Sequence, residues 1–298
     1  MRVVVVGDVV TDVLAVVAGP LAVGSDTAAD ISFTGGGSAA NTAAWLAHTG
    51  VPVTLVACVG ADAAGDARLA ELATAGVRSA VRRCPEAPTG IVVVLAERHE
   101  RTMVYDRGAN LHIAPSDVDA GLTPEATHVH VSGYTLFDPR SRPAGRHALA
   151  AAGPGRTTSV DAASADPVRR VGARAFLDWV RGIDVLLANL AEARVLVDRE
   201  LPPPELAQAL TTWVERAVVK LGDGGAVWAD RAGIVVAVPA EPADRVVDPT
   251  GAGDAFAAGL LGAWLGGAQA YEALRAGTRL GARAVAVPGA RPPPLPSI

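Results

Sequence analysis

The sequence has little lysine, little cysteine and few aromatic residues, and each shortage excludes a class of site. Its 298 residues include two cysteines and 4% aromatic residues, and Lys220 is the only lysine. Because Lys220 is followed by Leu-Gly, the chain has neither a P-loop nor the lysine pattern of a protein kinase. Cys58 and Cys84 match no CxxC spacing, so neither zinc nor redox chemistry is indicated, and a reducing cytoplasm is the expected location. His128 and His130 are separated by one residue, as side chains on one face of a strand are, so we interpret them as ordinary strand residues. A metal site is the alternative interpretation.

Basic charge and long apolar segments are also scarce. A net charge of −5 leaves no basic field, so we expect no nucleic-acid partner. The apolar N-terminal run 3–6 is too short for a signal peptide. The longest uncharged run, 255–271, is shorter than the roughly 20 residues of a membrane span and contains several glycines, so we interpret it as one buried helix. We therefore expect no membrane partner.

Apolar runs alternate with helical patterns along the chain, and 50% of the residues are hydrophobic, enough for a large core. Residues 12–33 are predicted to be irregular, and no linker or repeat divides the rest, so we expect a single domain over residues 1–298. This alternation predicts an α/β fold in which helices cover both faces of a mostly parallel sheet. Strands are predicted at 3–6, 53–59, 129–132, 158–161, 185–188, 217–220 and 234–238.

Two β-rich segments, 90–95 and 102–105, interrupt the alternation. The polar connection 96–101 between them is typical of a hairpin that stands in solvent. We interpret this hairpin as a flap over the N-terminal loops.

The strongest local motif is Asp-Pro-Thr-Gly-Ala-Gly-Asp at 248–254, which leads into an apolar helix. Each glycine costs roughly 1 kcal/mol relative to alanine inside a helix, so a helix merely capped by Thr250 would not need both. Close approach of a ligand explains them. The free N–H groups of Gly251, Ala252 and Gly253, at the positive end of the helix, would hold an anion such as a phosphoryl group.

Asp254 follows these groups in the first helical turn. A carboxylate there favours the helix dipole in any protein, which is the simpler interpretation. Beside an anion hole, however, the same carboxylate can accept the proton of a hydroxyl that attacks phosphorus. The segment thus predicts a base and an anion hole within one turn.

These residues resemble a known family, the ribokinase-like carbohydrate kinases of the phosphofructokinase-B type. The resemblance covers nearly the whole chain. The segment 248–254 is similar to the family's DTxGAGD signature, and Gly-Gly-Ser-Ala-Ala-Asn at 36–41 to its GGxxxN signature. Asn-Leu-Ala-Glu at 189–192 resembles the NxxE motif, and Lys-Leu-Gly-Asp-Gly-Gly at 220–225 the LGxxG turn. All four motifs occur in the family's order.

The resemblance implies a three-layer α/β/α fold with a small β lid formed by about 13–34 and 89–107. It also implies ATP-dependent phosphorylation of a sugar or sugar-like hydroxyl with Mg²⁺, and a homodimer through the lid. Asp254 would be the base, and 251–253 the anion hole.

The resemblance assigns further residues by motif. Asp12, Gly36, Gly37 and Asn41 would bind the substrate, with Arg107 and Tyr134 as additional candidates. The nucleotide would contact Asn189, Lys220, Gly222, Gly225 and Thr278, and Glu192, otherwise an exposed helix residue, would reach Mg²⁺ through water. A monovalent cation such as K⁺ would lie near Asp248, Thr250, Ala284, Val287 and Gly289.

The acceptor stays open between small sugars, sugar acids and nucleosides. Val10 stands where ribokinases proper have asparagine, so D-ribose is disfavoured. Arg107 would suit a substrate carboxylate, with a surface arginine as the alternative, and Tyr134 could stack on a ring or close the core.

A nucleoside kinase of the same fold is the runner-up. A nicotinamide-dependent oxidoreductase is more distant, because the GxGxxA pattern of Gly35, Gly37 and Ala40 follows a poor buried strand. A non-catalytic sugar sensor would not need Asp254.

Overall fold

The computed structural model describes residues 1–97 and 100–293, and residues 98 and 99 of the predicted lid hairpin lie outside the described residues. Within them, thirteen strands are numbered β1 to β13: Val3–Val6, Val10–Val17, Ala29–Gly36, Val53–Gly60, Arg78–Cys84, Gly90–Glu97, Glu100–Asp106, His128–Ser132, Thr157–Asp161, Val185–Asn189, Arg216–Lys220, Ala226–Asp230 and Val235–Val238. Eleven helices of the same residues are α1 to α11: Ser38–His48, Ala63–Thr74, Pro115–Gly121, Tyr134–Phe137, Arg142–Ala151, Ala165–Val171, Ala173–Trp179, Leu190–Val197, Pro203–Leu210, Ala252–Leu265 and Ala270–Val285.

The larger sheet has nine strands in the order β13-β12-β11-β10-β9-β8-β1-β4-β5. Every pairing from β11 to β5 is parallel, whereas β12 pairs antiparallel with both β11 and β13. The predicted mostly parallel central sheet is confirmed.

Strand β1, an interior strand of the larger sheet, shows why this sheet is covered on both faces. Its four valines are fully buried. Val3 and Val5 pack into the cluster that includes residues of α1, α2, α10 and α11, whereas Val4 and Val6 pack with residues of α3 to α9. Alternate side chains of a strand point to opposite faces, so a continuous apolar run suits a sheet between two helical layers. The predicted three layers are therefore present.

The smaller sheet is the lid, with strand order β3-β2-β6-β7. Strand β2 pairs antiparallel with β3 and parallel with β6. The prediction that residues 12–33 are irregular is wrong for 12–17 and 29–33, which lie in β2 and β3. These strands lack the signal of a buried strand since much of β3 faces solvent: Ile31 is 60% exposed and Phe33 68%.

The predicted single helix over 255–271 is also wrong. Helix α10 ends at Leu265, where the N–H groups of Gly266 and Gly267 bond to the carbonyl oxygens of Gly262 and Trp264. Helix α11 then packs back against α10. None of the helices within residues 1–97 and 100–293 is long and apolar enough to cross a lipid bilayer.

Candidate active site

The carboxyl ends of the parallel strands form the floor of a large cavity. Asp161 ends β9, Asn189 ends β10 and Lys220 ends β11, and these three strands are neighbours in the sheet. Ligands of open α/β sheets bind at this edge, because parallel strands end there together and leave a crevice.

The cavity has a volume of about 1200 Å³ and lies between this edge, the start of α10 and one face of the lid. Five of the predicted site residues are not in its wall: Gly36, Asp248, Ala284, Val287 and Gly289. The others all line it: Asp12, Gly37, Asn41, Arg107, Tyr134, Asn189, Glu192, Lys220, Gly222, Gly225, Thr250, Gly251, Ala252, Gly253, Asp254 and Thr278.

The start of α10 is shaped by a glycine. Gly251 is the residue that precedes the helix, with φ of 75°, and no side chain caps the helix. A Cβ at Gly251 would collide with the carbonyl oxygen of Ala290, so both backbone conformation and space favour glycine. The expectation of three free N–H groups is wrong for Ala252, whose N–H bonds to the Pro249 carbonyl oxygen at 3.3 Å. The tight turn at Gly251 brings these two groups together.

Asp254 faces the N-terminal glycine-rich segment. Its Oδ1 accepts a hydrogen bond from Ser38 Oγ at 2.8 Å, and its Oδ2 accepts one from Asn41 Nδ2 at 2.9 Å. Burial away from water raises the pKa of Asp254 to about 7, although the two hydrogen bonds lower it. The negative charge of Asp161 raises this pKa further. The two family signatures thus meet at one carboxylate.

Asp12 lies in β2, on the cavity face of the lid. A Cβ at Gly36 would collide with the Asp12 carboxylate, which explains the glycine although Gly36 does not line the cavity. Burial raises the pKa of Asp12 to about 6, opposed mainly by the positive charge of Arg291. Arg291, which sequence reasoning missed, also donates to the Gly36 carbonyl oxygen at 2.9 Å and to Asn41 Oδ1 at 3.3 Å.

Arg107 is a wall residue of the cavity rather than a surface arginine. Its side chain is 15% exposed, with Nη1 3.5 Å from Asp8 Oδ2. Its guanidinium carbon lies 4.5 Å from the ring centre of Tyr134.

Sequence reasoning also missed Asp8. Its carboxylate accepts the N–H groups of Ser38 and Ala39, both at 3.3 Å, and so caps α1.

Glu192 is buried, so its interpretation as an exposed helix residue is wrong. Its carboxylate accepts the backbone N–H of Asn189 at 2.8 Å and the side-chain amide at 2.6 Å. Asn189 Oδ1 in turn accepts the Glu192 N–H at 2.9 Å, which completes a capping box at the start of α8. Burial raises the pKa of Glu192 to about 7, opposed by the charge of Lys220.

The loops predicted for a monovalent cation lie together beside the cavity. Asp248 Oδ1 accepts the N–H of Thr250 at 2.9 Å, and Oδ2 accepts that of Gly289 at 3.0 Å. Ala284 belongs to α11 rather than to the closing loop, and its carbonyl oxygen accepts the N–H of Val287 at 3.3 Å.

The dinucleotide pattern at Gly35, Gly37 and Ala40 is not a Rossmann turn. Gly35 lies in lid strand β3, which pairs antiparallel with β2, so the pattern does not follow a parallel strand of the main sheet.

A family model for pfkB family carbohydrate kinases matches residues 1–298. The chain belongs to the PfkB family of carbohydrate kinases. It is therefore an ATP-binding transferase with the ribokinase-like fold, and the family suggested by the four motifs is confirmed.

Two relatives are similar over most of their length. The ATP-dependent ribose-1-phosphate kinase of Halopiger xanaduensis is 33% identical over 263 residues, which cover 87% of this chain and 83% of the relative. The 2-dehydro-3-deoxygluconokinase of Thermoproteus tenax is 32% identical over 263 residues, covering 85% and 80%. A crystal structure of a proposed ribokinase II from E. coli, in complex with ATP and Mg²⁺, aligns with this chain at a TM-score of 0.85 and 24% identity. The alignment covers 97% of this chain and 94% of that one.

The donor atoms of the cavity fit Mg²⁺ carried by a nucleotide. Asp161, Asn189 and Glu192 offer oxygen atoms in its wall. No cluster of three or more His, Cys, Asp or Glu side chains suited to hold a metal occurs within residues 1–97 and 100–293. Mg²⁺ keeps several waters and is commonly held by one or two carboxylates plus substrate phosphates. Such a set therefore suits a water-mediated ion.

Proposed function

We propose that this kinase transfers the γ-phosphate of ATP to a hydroxyl of a small sugar derivative, with Asp254 as the base and the backbone N–H groups of Gly251 and Gly253 as the anion hole. The observation that carries the proposal is the position of Asp254, in the cavity wall within the first turn of α10. Its pKa of about 7 suits proton transfer near neutral pH.

In this mechanism the residues that contact Asp254 orient it, and the helix N-terminus stabilises the phosphoryl group. Ser38 and Asn41 hold the carboxylate by one bond to each oxygen, so that it meets the acceptor hydroxyl in a fixed orientation. As the hydroxyl oxygen attacks the γ-phosphorus, its proton passes to Asp254. The helix N-terminus stabilises the charge on the phosphoryl oxygens.

The acceptor would lie between Asp254 and the lid. Asp12 is ionised at neutral pH with a pKa of about 6, so it can accept hydrogen bonds from sugar hydroxyls. Gly37, which lines the cavity, would let the backbone approach the sugar. Closure of the lid would exclude water, which limits hydrolysis of ATP.

We further propose that the acceptor carries an acidic group. Arg107 and Arg170 both line the cavity. Arg170 is exposed and has no ion pair within the described part of the chain, so its guanidinium is available to a phosphate or carboxylate. The names of both curated relatives indicate acidic substrates, a sugar phosphate and a sugar acid.

ATP would occupy the part of the cavity at the ends of β10 and β11. Asn189, Lys220, Gly222, Gly225 and Thr278 line the cavity and would bind the nucleotide. Mg²⁺, when bound with ATP, would neutralise phosphate charge, with Glu192 reaching it through water.

Two properties of the assembly are proposed with this function. K⁺ would be held at the loops of Asp248 and Gly289, which lie together. A dimer would form through the outer face of the lid. There, Phe33, Val13, Val93 and Val104 form one row across four strands, and Phe33 and Val104 are 68% and 59% exposed.

The function is tested by incubation with Mg-ATP and a panel of acceptors, with release of ADP as the readout. The panel pairs ribose 1-phosphate with ribose, and 2-dehydro-3-deoxygluconate with its neutral lactone, and includes adenosine and pseudouridine. We expect acceptor-dependent ADP release with an acidic sugar and far less with its neutral partner. Turnover of nucleosides alone would favour the runner-up, and no acceptor-dependent release across the panel would contradict the proposal.

A further inference from the structure

The only lysine of the chain lies beside the proposed anion hole. From the end of β11, the side chain of Lys220 passes the end of β10 and reaches Asp161 on β9, with Nζ 2.6 Å from Oδ2. An ideal Cβ at Gly253 would lie 3.4 Å from Nζ. The ammonium group therefore lies beside the first turn of α10, where the phosphoryl group is expected.

This ammonium group is charged and has donors to spare. Burial lowers the pKa of Lys220, but the carboxylates of Asp161, Glu192 and Asp254 outweigh burial and raise it above its ordinary value. An ammonium carries three N–H donors. Among the described residues its one hydrogen bond goes to Asp161. The side chain lines the cavity, so its remaining donors can face a ligand.

We propose that Lys220 is a catalytic residue that contacts the phosphoryl group during transfer, and that Asp161 is the positioning residue that holds it. The inference rests on the proposed kinase function. In the transfer, the acceptor oxygen bonds to the γ-phosphorus, and the bond from phosphorus to the β,γ-bridging oxygen breaks with its electron pair leaving on ADP. The hydroxyl proton passes to Asp254, and Lys220 exchanges no atom. Its charge stabilises the oxygens of the migrating group.

A role in stability alone explains this arrangement less well. A buried ion pair often adds little net stability, because desolvation of both charges opposes their attraction. This pair also lies in a cavity wall, with the side chains of Lys220 and Asp161 14% and 5% exposed, rather than in the closed core. A cation placed against Gly253 is, by contrast, what a migrating anion requires.

The first test separates catalysis from stability with two variants. Lys220→Met should lower kcat by about 100-fold or more and change the KM for ATP by less than about threefold, because the contact matters most in the transition state. It also leaves Asp161 buried without its partner, which lowers the melting temperature. In the double variant Lys220→Met/Asp161→Asn both charges are removed, so the melting temperature should recover. We expect kcat to stay low. A kcat that recovers together with stability would overturn the proposal.

Two further variants complete the set. Arg216→Met removes a cation from the opposite end of β11, outside the cavity wall, and should leave kcat unchanged. Asp161→Asn alone keeps Lys220 but weakens its orientation, so kcat should fall by about tenfold with the KM for ATP retained. An Asp161→Asn variant with wild-type kcat would refute the positioning role.

A labelling experiment does not depend on the acceptor. An acyl-phosphate derivative of ATP, in which the acyl group is on the γ-phosphate, acylates a nearby amine while ATP leaves. Because Lys220 is the only lysine, peptide mapping assigns the product to one side chain. We expect Lys220 to be acylated and excess ATP to prevent it. An unlabelled Lys220 would overturn the inference, whereas failure of the whole acceptor panel with Lys220 labelled would refute only the proposed sugar-kinase reaction.

Discussion

At the scale of single residues, the site depends on carboxyl groups that are withdrawn from water. The pKa of Asp254 is raised to about 7 and that of Asp12 to about 6, in each case chiefly by burial. The two carboxyl groups therefore have different roles. Asp12 is an ionised hydrogen-bond acceptor at neutral pH, while Asp254 can take up a proton and release it again.

The pH dependence of turnover tests this difference. Asp254 must be ionised to act as a base, so kcat/KM should fall as the pH drops below about 7 and reach a plateau above it. Initial rates between about pH 5.5 and 8 measure this profile, with coupling-enzyme activity checked at each pH as the control. A flat profile across this interval would contradict the role of Asp254.

The sequence predicts some of these residues and misses others for a physical reason. Asp254 and Asn41 belong to motifs whose spacing is visible locally. Asp161 is the last residue of an ordinary strand, and Asp8 follows one. Their hydrogen-bond partners are distant in the sequence: Asp161 binds Lys220, 59 residues away. Only the parallel pairing of β9, β10 and β11 brings such residues to one edge.

At the scale of elements, strands buried on both faces are predictable and the others are not. The run of valines in β1 predicts a core strand because both faces are covered. Strand β3 is mostly exposed and has no such run. Strand β12 has a buried apolar run at 226–229, but it follows β11 with no α-helix between them, so it falls outside the alternation that predicts parallel strands. The predicted helix over 255–271 runs past the end of α10 because glycines alone mark the turn at 266 and 267.

Strand β8 carries a buried histidine pair whose protonation in acid opposes folding. Burial lowers the pKa of His128 to about 3 and of His130 to about 4. His128 Nε2 and His130 Nδ1 both lie within hydrogen-bond distance of Ser159 Oγ, at 2.8 and 2.7 Å. Their interpretation as ordinary strand residues fits this placement.

Taken alone, the two histidines favour proton uptake by the unfolded chain between about pH 4 and 6.5, so their contribution to the free energy of unfolding is lost as the pH falls through this range. The raised pKa values of Asp12, Asp254 and Glu192 act in the opposite direction. The contribution of one histidine is therefore isolated by comparing wild type with His130→Asn, whose amide does not titrate, in denaturant titrations at several pH values. We expect the free energy of unfolding of wild type to fall relative to that of the variant as the pH drops from about 6.5 to 4. A difference between the two proteins that stays constant over this range would disprove the expectation.

The loops at Asp248 and Gly289 lead to a prediction about cations. If K⁺ binds there, it would order the start of α10, so kcat should rise by about threefold or more when K⁺ replaces tetramethylammonium at constant ionic strength. Asp248→Asn should reduce the response, because one negative charge is lost. Equal rates in the two salts would count against the cation site.

At the scale of the whole molecule, the lid connects the substrate to the proposed dimer. One face of its four-stranded sheet lines the cavity through Asp12 and Tyr105, and the other presents the apolar row that includes Phe33. A small sheet with an exposed apolar face is marginal alone and gains stability when that face is covered.

Sedimentation of the full-length chain tests the dimer. At micromolar concentration we expect a dimer of the 30.2 kDa chain. Phe33→Asp, which places a charge in the apolar row away from the cavity, should shift the chain towards monomer. A monomeric wild-type protein at this concentration would exclude the lid interface.

The most direct measurement of the central claim is the kcat of Asp254→Asn with the best acceptor of the panel. The amide keeps the size of the side chain but cannot take the proton, so kcat should fall by about 1000-fold or more while the melting temperature and ATP binding stay close to wild type. A folded variant that retains kcat within about tenfold of wild type would contradict the assignment of Asp254 as the base.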